Sequence, residues 1–241
     1  MSLNLVIDVG NSFTKLFVIK NFNILYSSVY HSLSDIENIF TLFPGLENGI
    51  YSASGEIPEE LKEFITKRLE NVVAFNSTTP VPIGNLYHTP ETLGADRLAA
   101  AIGVNHFFPR TNTIIFDFGT AITIDFIDNE NNFAGGNISP GLAIRFNALN
   151  QYTKKLPLLS IPKNVEKIGK TTRQAIEAGV VNGIIGEVLN YIQTYNTHKV
   201  VFTGGDSFFF VNKIKIPIFV FRNPIVYGLN IVLNHQTFDS A

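Results

Sequence analysis

The sequence predicts an α/β protein built from two similar halves, and three observations carry that expectation. Apolar runs of strand length alternate with stretches of helical character along the whole chain. A strand ending Ile7-Asp8-Val9-Gly10-Asn11-Ser12 has a counterpart ending Phe116-Asp117-Phe118-Gly119-Thr120-Ala121, just under half a chain later. In each, Asp-x-Gly and a small polar residue lead into a second apolar strand, the mark of an internal repeat. Pro109-Arg110-Thr111-Asn112 interrupts the pattern between the copies, so halves of 1–110 and 111–241 are expected.

Taken in order, Leu3 to Val9 reads as a buried strand. Thr14 to Ile19 and Ile24 to Val29 read as two more, turning at Asn21-Phe22-Asn23. Ser34, with Glu37 three residues on, predicts a capped helix start. Gly49 to Ala53 predicts a short strand, and Pro58-Glu59-Glu60 a first helical turn, where Pro and acids are favoured. Residues 76–93, rich in Thr, Pro and Gly, read as a long loop, and loops of that length in small domains usually serve function. Gly94 to Phe107 predicts an Ala-rich helix. A strand from Thr113 to Asp117 leads into a hairpin, with Ala121 to Ile127 and a strand from Phe133 joined by Asp128-Asn129-Glu130-Asn131-Asn132. Helices over 140–149 and 172–195 follow, separated by a loop, and then a strand from Lys199 to Phe202 runs into Thr203-Gly204-Gly205-Asp206.

Composition narrows the function classes. The chain has 241 residues and no Cys, which excludes disulfides and thiolate metal sites and suits a reducing cytosol. Lys plus Arg is 18 against 20 Asp plus Glu, with no basic run, so nucleic acid is not an expected partner. The N-terminus lacks the basic region of a signal peptide, and no apolar run reaches membrane-spanning length uninterrupted. The five His show no metal spacing; His88 reads as a solvated loop residue, and most of the 21 Phe as core.

The chemistry-bearing segments suit phosphate. A turn of Asp-x-Gly-Asn-Ser offers backbone N–H groups, an amide and a hydroxyl, and its Gly lets the chain approach a ligand closely. Lys15 adds a positive charge nearby. No Walker A pattern and no helix-opening G-x-G-x-x-G is present, so any nucleotide is held by another scheme. Two Asp-Gly hairpins and the later Thr203-Gly204-Gly205, with room for a flat ring beside its glycines, make such a scheme.

Together these elements resemble the superfamily of actin, sugar kinases and heat-shock chaperone ATPases. That resemblance implies two ribonuclease H-like halves with an ATP cleft between them. Within it, Asp8 to Lys15 (DVGNSFTK), Leu93 to Arg97 (LGADR), Asp117 to Asp125 (DFGTAITID) and Gly135 to Gly141 (GGNISPG) look like type III pantothenate kinases. Gly169-Lys170-Thr171-Thr172 and Thr203-Gly204-Gly205 fit as well, so the likeness runs from residue 5 to about 230.

The resemblance implies roles residue by residue. Asp8, Val9, Gly10, Asn11, Ser12, Phe13, Thr14 and Lys15 look like the first ATP phosphate segment, although Ser12 stands where Thr is more usual. Thr120 matches a second nucleotide contact, and Gly204 and Gly205 the adenosine side. Asp117 matches the residue that holds a monovalent cation, potassium or ammonium. Gly94, Ala95, Asp96 and Arg97 look like the pantothenate segment, with Asp96 as proton acceptor. Arg97 also suits a carboxylate on its own chemistry, because its guanidinium is permanently charged and forked. Tyr87 is expected near pantothenate, and Thr172 as a substrate contact with Thr171 its adjacent competitor. Magnesium bridging the phosphates near Asp8, a homodimer and a cytosolic location complete the expectation. Its rivals are a kinase of another small hydroxy acid, a non-catalytic transcriptional accessory factor and, more weakly, a nucleotide-driven chaperone.

Overall fold

The computed structural model describes residues 3–10, 13–53 and 56–238. Asn11 and Ser12 of the first phosphate segment lie outside them. The chain divides into two compact units, one of residues 1–110, 130–134 and 223–241, the other of 111–129 and 135–222. The first crossing falls where the sequence interrupts its pattern. The chain then returns to the first unit twice, once at a hairpin turn and once with its last helix, so 111–241 is not one continuous half.

In the first unit, β1 (Leu3–Val9), β2 (Thr14–Lys20), β3 (Asn23–Val29), β4 (Leu46–Ala53) and β5 (Asn71–Phe75) form a sheet in the order β3-β2-β1-β4-β5. Strands β1 to β3 are antiparallel, and β4 and β5 run parallel to β1. The central strand β1 carries a nearly continuous apolar run because it is buried on both faces, whereas the edge strand β3 alternates. Helices α1 (Leu33–Leu42) and α2 (Glu59–Arg68) supply Ile36, Ile39, Leu61 and Ile65 to a core with Leu5, Ile7, Leu16 and Val18.

The cap of α1 differs from the sequence expectation. Ser32 is the N-cap, and Asp35 accepts hydrogen bonds from the backbone N–H groups of His31 and Ser32 at 2.7 and 3.0 Å. Ser34 therefore lies inside the helix; two serines spaced by two offer competing frames, and the Asp frame wins. Likewise Pro58 is the N-cap of α2 rather than part of its first turn.

Residues 76–93 are mostly irregular but hold a two-residue strand, β6 (Gly84–Asn85), and a 3₁₀ turn at Pro90–Thr92. Helix α3 (Ala95–Phe107) follows.

The second unit repeats the plan. Strands β7 (Thr113–Phe118), β8 (Ala121–Ile127), β9 (Asn132–Pro140), β10 (Lys199–Thr203) and β11 (Phe219–Val220) run in the order β11-β10-β7-β8-β9. Read from its opposite edge, this is the order of the first sheet, with β7 in the place of β1. Strand β8 is antiparallel to β7, and β10 is parallel to both β7 and β11. The repeat reaches the turns: Asn21 after β2 and Asn131 after β8 both have positive φ, at 58° and 64°, where Asn is tolerated better than bulkier residues.

Helices α4 (Leu142–Gln151), α5 (Thr172–Thr194) and α6 (Ser207–Val211) flank this sheet. Its core is aromatic: Phe116, Phe118, Phe202 and Phe210 are fully buried, and the rings of Phe118 and Phe210 stack at 4.8 Å. Each such ring contributes roughly 1.5–3 kcal/mol by leaving water.

The last helix, α7 (Pro224–Phe238), packs against α3. The sequence reading missed it, along with β5, α6 and β11. Helix α7 is apolar over most of its surface and so shows no clear face periodicity. The helices meet at Gly103 and Gly228, and a Cβ on Gly228 would lie 1.8 Å from the Ala99 carbonyl oxygen. That contact explains the small residues of α3: backbone packs on backbone there.

Candidate active site

In the first unit the candidate residues gather at the carboxyl end of β1 and the start of α3. Cross-strand pairing of β1 and β2 sets Asp8 opposite Lys15 and Val9 opposite Thr14. Gly10 closes the hairpin, its N–H donating to the Phe13 carbonyl at 3.1 Å, while the Phe13 ring is exposed. Burial pushes the Asp8 carboxyl above its ordinary value; Lys15 pulls it down and Asp96 pushes it further up. Asp8 and Asp96, far apart in sequence, are therefore electrostatic neighbours.

Helix α3 begins after Gly94, which is its N-cap. The Asp96 carboxylate turns back over that glycine, and its Oδ1 accepts the Arg97 N–H at 2.8 Å. Arg97 is only 6% exposed. Its guanidinium carbon lies 5.9 Å from the Tyr87 ring centre and 5.8 Å from that of Phe133, distances of a cation–π contact. Tyr87 and Phe133 reach it because β6 pairs with the first residues of β9, Asn85 opposite Phe133. Tyr87, Asp96 and Arg97, all expected beside one substrate, thus come from one neighbourhood of one unit, with Ala95 the first residue of the helix that carries two of them. Phe133 was not foreseen, since a hairpin return strand carries no sign of which ring covers a distant Arg.

In the second unit the equivalent hairpin closes one residue tighter, with Phe118 opposite Ile122 where the first has Val9 opposite Thr14. The Gly119 N–H donates to the Ala121 carbonyl at 3.1 Å, and the next residue, Thr120, is exposed. The loop after β10 packs directly on this hairpin. Gly204 has φ +89°, and a Cβ there would lie 2.4 Å from Asp117 Oδ1, so this position needs glycine on both counts. Gly205 is exposed beside it. The Asp206 N–H donates to the Phe118 carbonyl at 3.1 Å, and burial pushes the Asp206 carboxyl upward. Asp117, Thr120, Gly204 and Gly205 therefore share the carboxyl end of one sheet, where open α/β sheets bind ligands.

The GGNISPG segment leads into α4. Arg145 donates from Nε to the Pro140 carbonyl at 2.8 Å and from Nη2 to Ser139 Oγ at 3.2 Å, and it pairs with Glu187 of α5. Alongside runs an apolar groove of about 770 Å³ between α4 and α5, lined by Ile144, Leu149, Tyr152, Leu156 and Ile176 among others. Thr172 lines it too. Thr171 is the N-cap of α5, its hydroxyl accepting the Gln174 N–H at 3.2 Å, so the two adjacent threonines have different employment.

Among the described residues no group of three or more His, Asp or Glu could cage a metal, and no helix is long and apolar enough to cross a membrane. Any cation here would rest on single carboxylates together with backbone or ligand oxygens. The surroundings of Asp8 and Asp117 fit that pattern. Asp8 is a half-buried carboxyl at the end of β1, and the Asp117 carboxylate lies beside the Gly119 turn and the loop at Gly204.

Two units of the same strand order, each with an Asp-x-Gly hairpin at the carboxyl end of its first strand, define the ATPase fold shared by actin-like proteins and sugar kinases. Solved structures bear out the fold. The activator of 2-hydroxyisocaproyl-CoA dehydratase from Clostridium difficile, with bound ADPNP, superposes with a TM-score of 0.59 at 15% identity, covering 99% of this chain and 96% of that one. MreB5 of Spiroplasma citri bound to ADP gives 0.51 at 10% identity, over 100% and 98%. Residues 4–194 match the family of type III pantothenate kinases. The type III pantothenate kinase of Phocaeicola vulgatus is 38% identical over 240 residues, 97% of this chain and 99% of that protein. This chain belongs to the type III pantothenate kinase family.

Proposed function

We propose that the protein transfers the γ-phosphoryl group of ATP to the terminal hydroxyl of pantothenate, the first step of coenzyme A biosynthesis. The observation that carries the reading is the cluster of Asp8, Lys15, Tyr87, Asp96 and Arg97 in one unit, inside a chain whose family membership spans most of its length. Pantothenate has a carboxylate at one end and a hydroxyl at the other. Arg97 binds the carboxylate, with Tyr87 beside it. Asp96, its neighbour on the first turn of α3, orients the hydroxyl and accepts its proton. In a loose transition state that proton leaves late, so a weak base suffices and positioning does most of the work.

The hairpin from Asp8 to Lys15 holds phosphate oxygens through backbone N–H groups and the Lys15 charge. Thr120 adds a second phosphate contact, and Gly204 and Gly205 lie along the adenosine. Magnesium, bound near Asp8, neutralises charge on the phosphates. A monovalent cation, potassium or ammonium, is held at Asp117. Thr172, whose hydroxyl is not engaged in capping, contacts substrate. The protein acts as a cytosolic homodimer; the open apolar groove on α4 and α5 and the exposed Ala175, Gly179 and Gly183 of α5 support pairing through that face. The test is a coupled assay with ATP, magnesium, potassium and pantothenate. ADP release that depends on pantothenate, with a product heavier by one phosphoryl group, is expected. Faster turnover of another small hydroxy acid would overturn the substrate assignment.

A further inference from the structure

Phe208, on the first turn of α6, is 46% exposed. It lies four residues after Gly204. The loop between them is pinned: Ser207 Oγ donates to the Gly204 carbonyl at 2.7 Å, and the Asp206 N–H donates to Phe118. A second element arrives at the same end of the sheet. Strand β11 runs parallel to β10 with Val201 opposite Phe219 and Phe202 opposite Val220, and the ladder continues as the Phe221 N–H donates to the Phe202 carbonyl at 2.9 Å. One step further along this register, Arg222 is level with Gly204. Its guanidinium carbon lies 5.0 Å from the Phe208 ring centre. An exposed phenyl ring and a guanidinium thus stand together beside the two glycines, at the end of the sheet that also carries Asp117 and Thr120.

An exposed ring on a pinned backbone has little apolar burial to justify it. Flat aromatic and guanidinium groups do stack well on nucleobases. We propose that Phe208 and Arg222 form the platform on which the purine ring of the nucleotide stacks. The proposal rests on the kinase reading above and deepens it. Affinity comes from ring area, so a purine is held better than a pyrimidine.

Calorimetric titration of ATP tests this without pantothenate. Base stacking on an aromatic side chain contributes about 5–150-fold in affinity, so Phe208→Ala should weaken ATP binding by roughly tenfold or more. Phe208→Trp, which keeps a stacking surface, should stay within about threefold of the wild type, and Arg222→Met should fall between them by the same reasoning. The advantage of ATP over CTP should shrink in the Ala variant. Unchanged ATP affinity in a folded Phe208→Ala protein, or a Trp variant as weak as the Ala variant, would overturn the platform. Wild-type protein that binds ATP but does not phosphorylate pantothenate would sink the substrate assignment alone, and the platform would still be judged by the calorimetry.

Discussion

Replacing Gly228 by Ala probes the scaffold under the proposed substrate site. The added methyl would lie 1.8 Å from the Ala99 carbonyl oxygen and 2.7 Å from its carbon, where real side chains essentially never come within 3.0 Å. Helices α3 and α7 must part by upward of about 1 Å, and neither Ala99 nor Gly103 has a side chain that could swing away. Overpacking of this kind costs about 1–3 kcal/mol, and a backbone-on-backbone contact belongs at the upper end. For a chain of this size about 3 kcal/mol lowers Tm by roughly 6–12 °C. The displacement also reaches function, because α3 carries Asp96 and Arg97 on its first turn. A shift of about 1 Å in a catalytic group can cost on the order of a hundredfold in rate. Differential scanning calorimetry and steady-state turnover at a temperature where the variant stays folded would measure the two effects. A Tm within about a degree of the wild type would refute the claim that this crossing holds α3 in place.

Three further outcomes are expected. Asp96→Asn keeps the shape and removes the basicity, so turnover should fall by about 10²–10⁴-fold while calorimetry still detects both substrates; near-normal turnover would reduce Asp96 to a structural role. Arg97→Met should raise the KM for pantothenate far more than that for ATP, and a larger effect on ATP would move Arg97 to the nucleotide side. Asp8 is held above its ordinary pKa, so its ionisation costs the folded state: the penalty is absent below the unfolded value of 3.8 and fully present above the raised folded value. Asp8→Asn should therefore raise Tm in ligand-free protein at neutral pH, with the gain fading as pH drops towards 4 and activity lost throughout; an Asn variant less stable than the wild type at neutral pH would contradict the burial argument.

Much of this protein was legible in the sequence because its signals are local. The Asp8 and Asp117 hairpins are each a strand, a tight turn and a strand, and strand propensity with turn chemistry acts over a few residues. The duplicated hairpin therefore announced the two sheets, and the segments around Asp8, Asp96, Asp117 and Gly204 carried the family resemblance. The missed elements had no such pattern. Helix α7 is apolar on most sides, and β11 has only two residues, too few for an alternation to show. The cap of α1 came down to two serines in competing frames, which the reach of Asp35 decided.

Tertiary structure alone decided which side chains meet. That α7 returns to the first unit follows from two glycines fitting one helix crossing, a complementarity between segments that neither shows by itself. That the Arg97 guanidinium lies against Tyr87 and Phe133 depends on β6 pairing with β9. That Asp8 feels both Lys15 and Asp96 depends on the ladder of β1 and on where α3 begins. Local propensities fix what each segment becomes, but long-range packing sets the few ångströms between groups, and those distances determine charge, burial and chemistry.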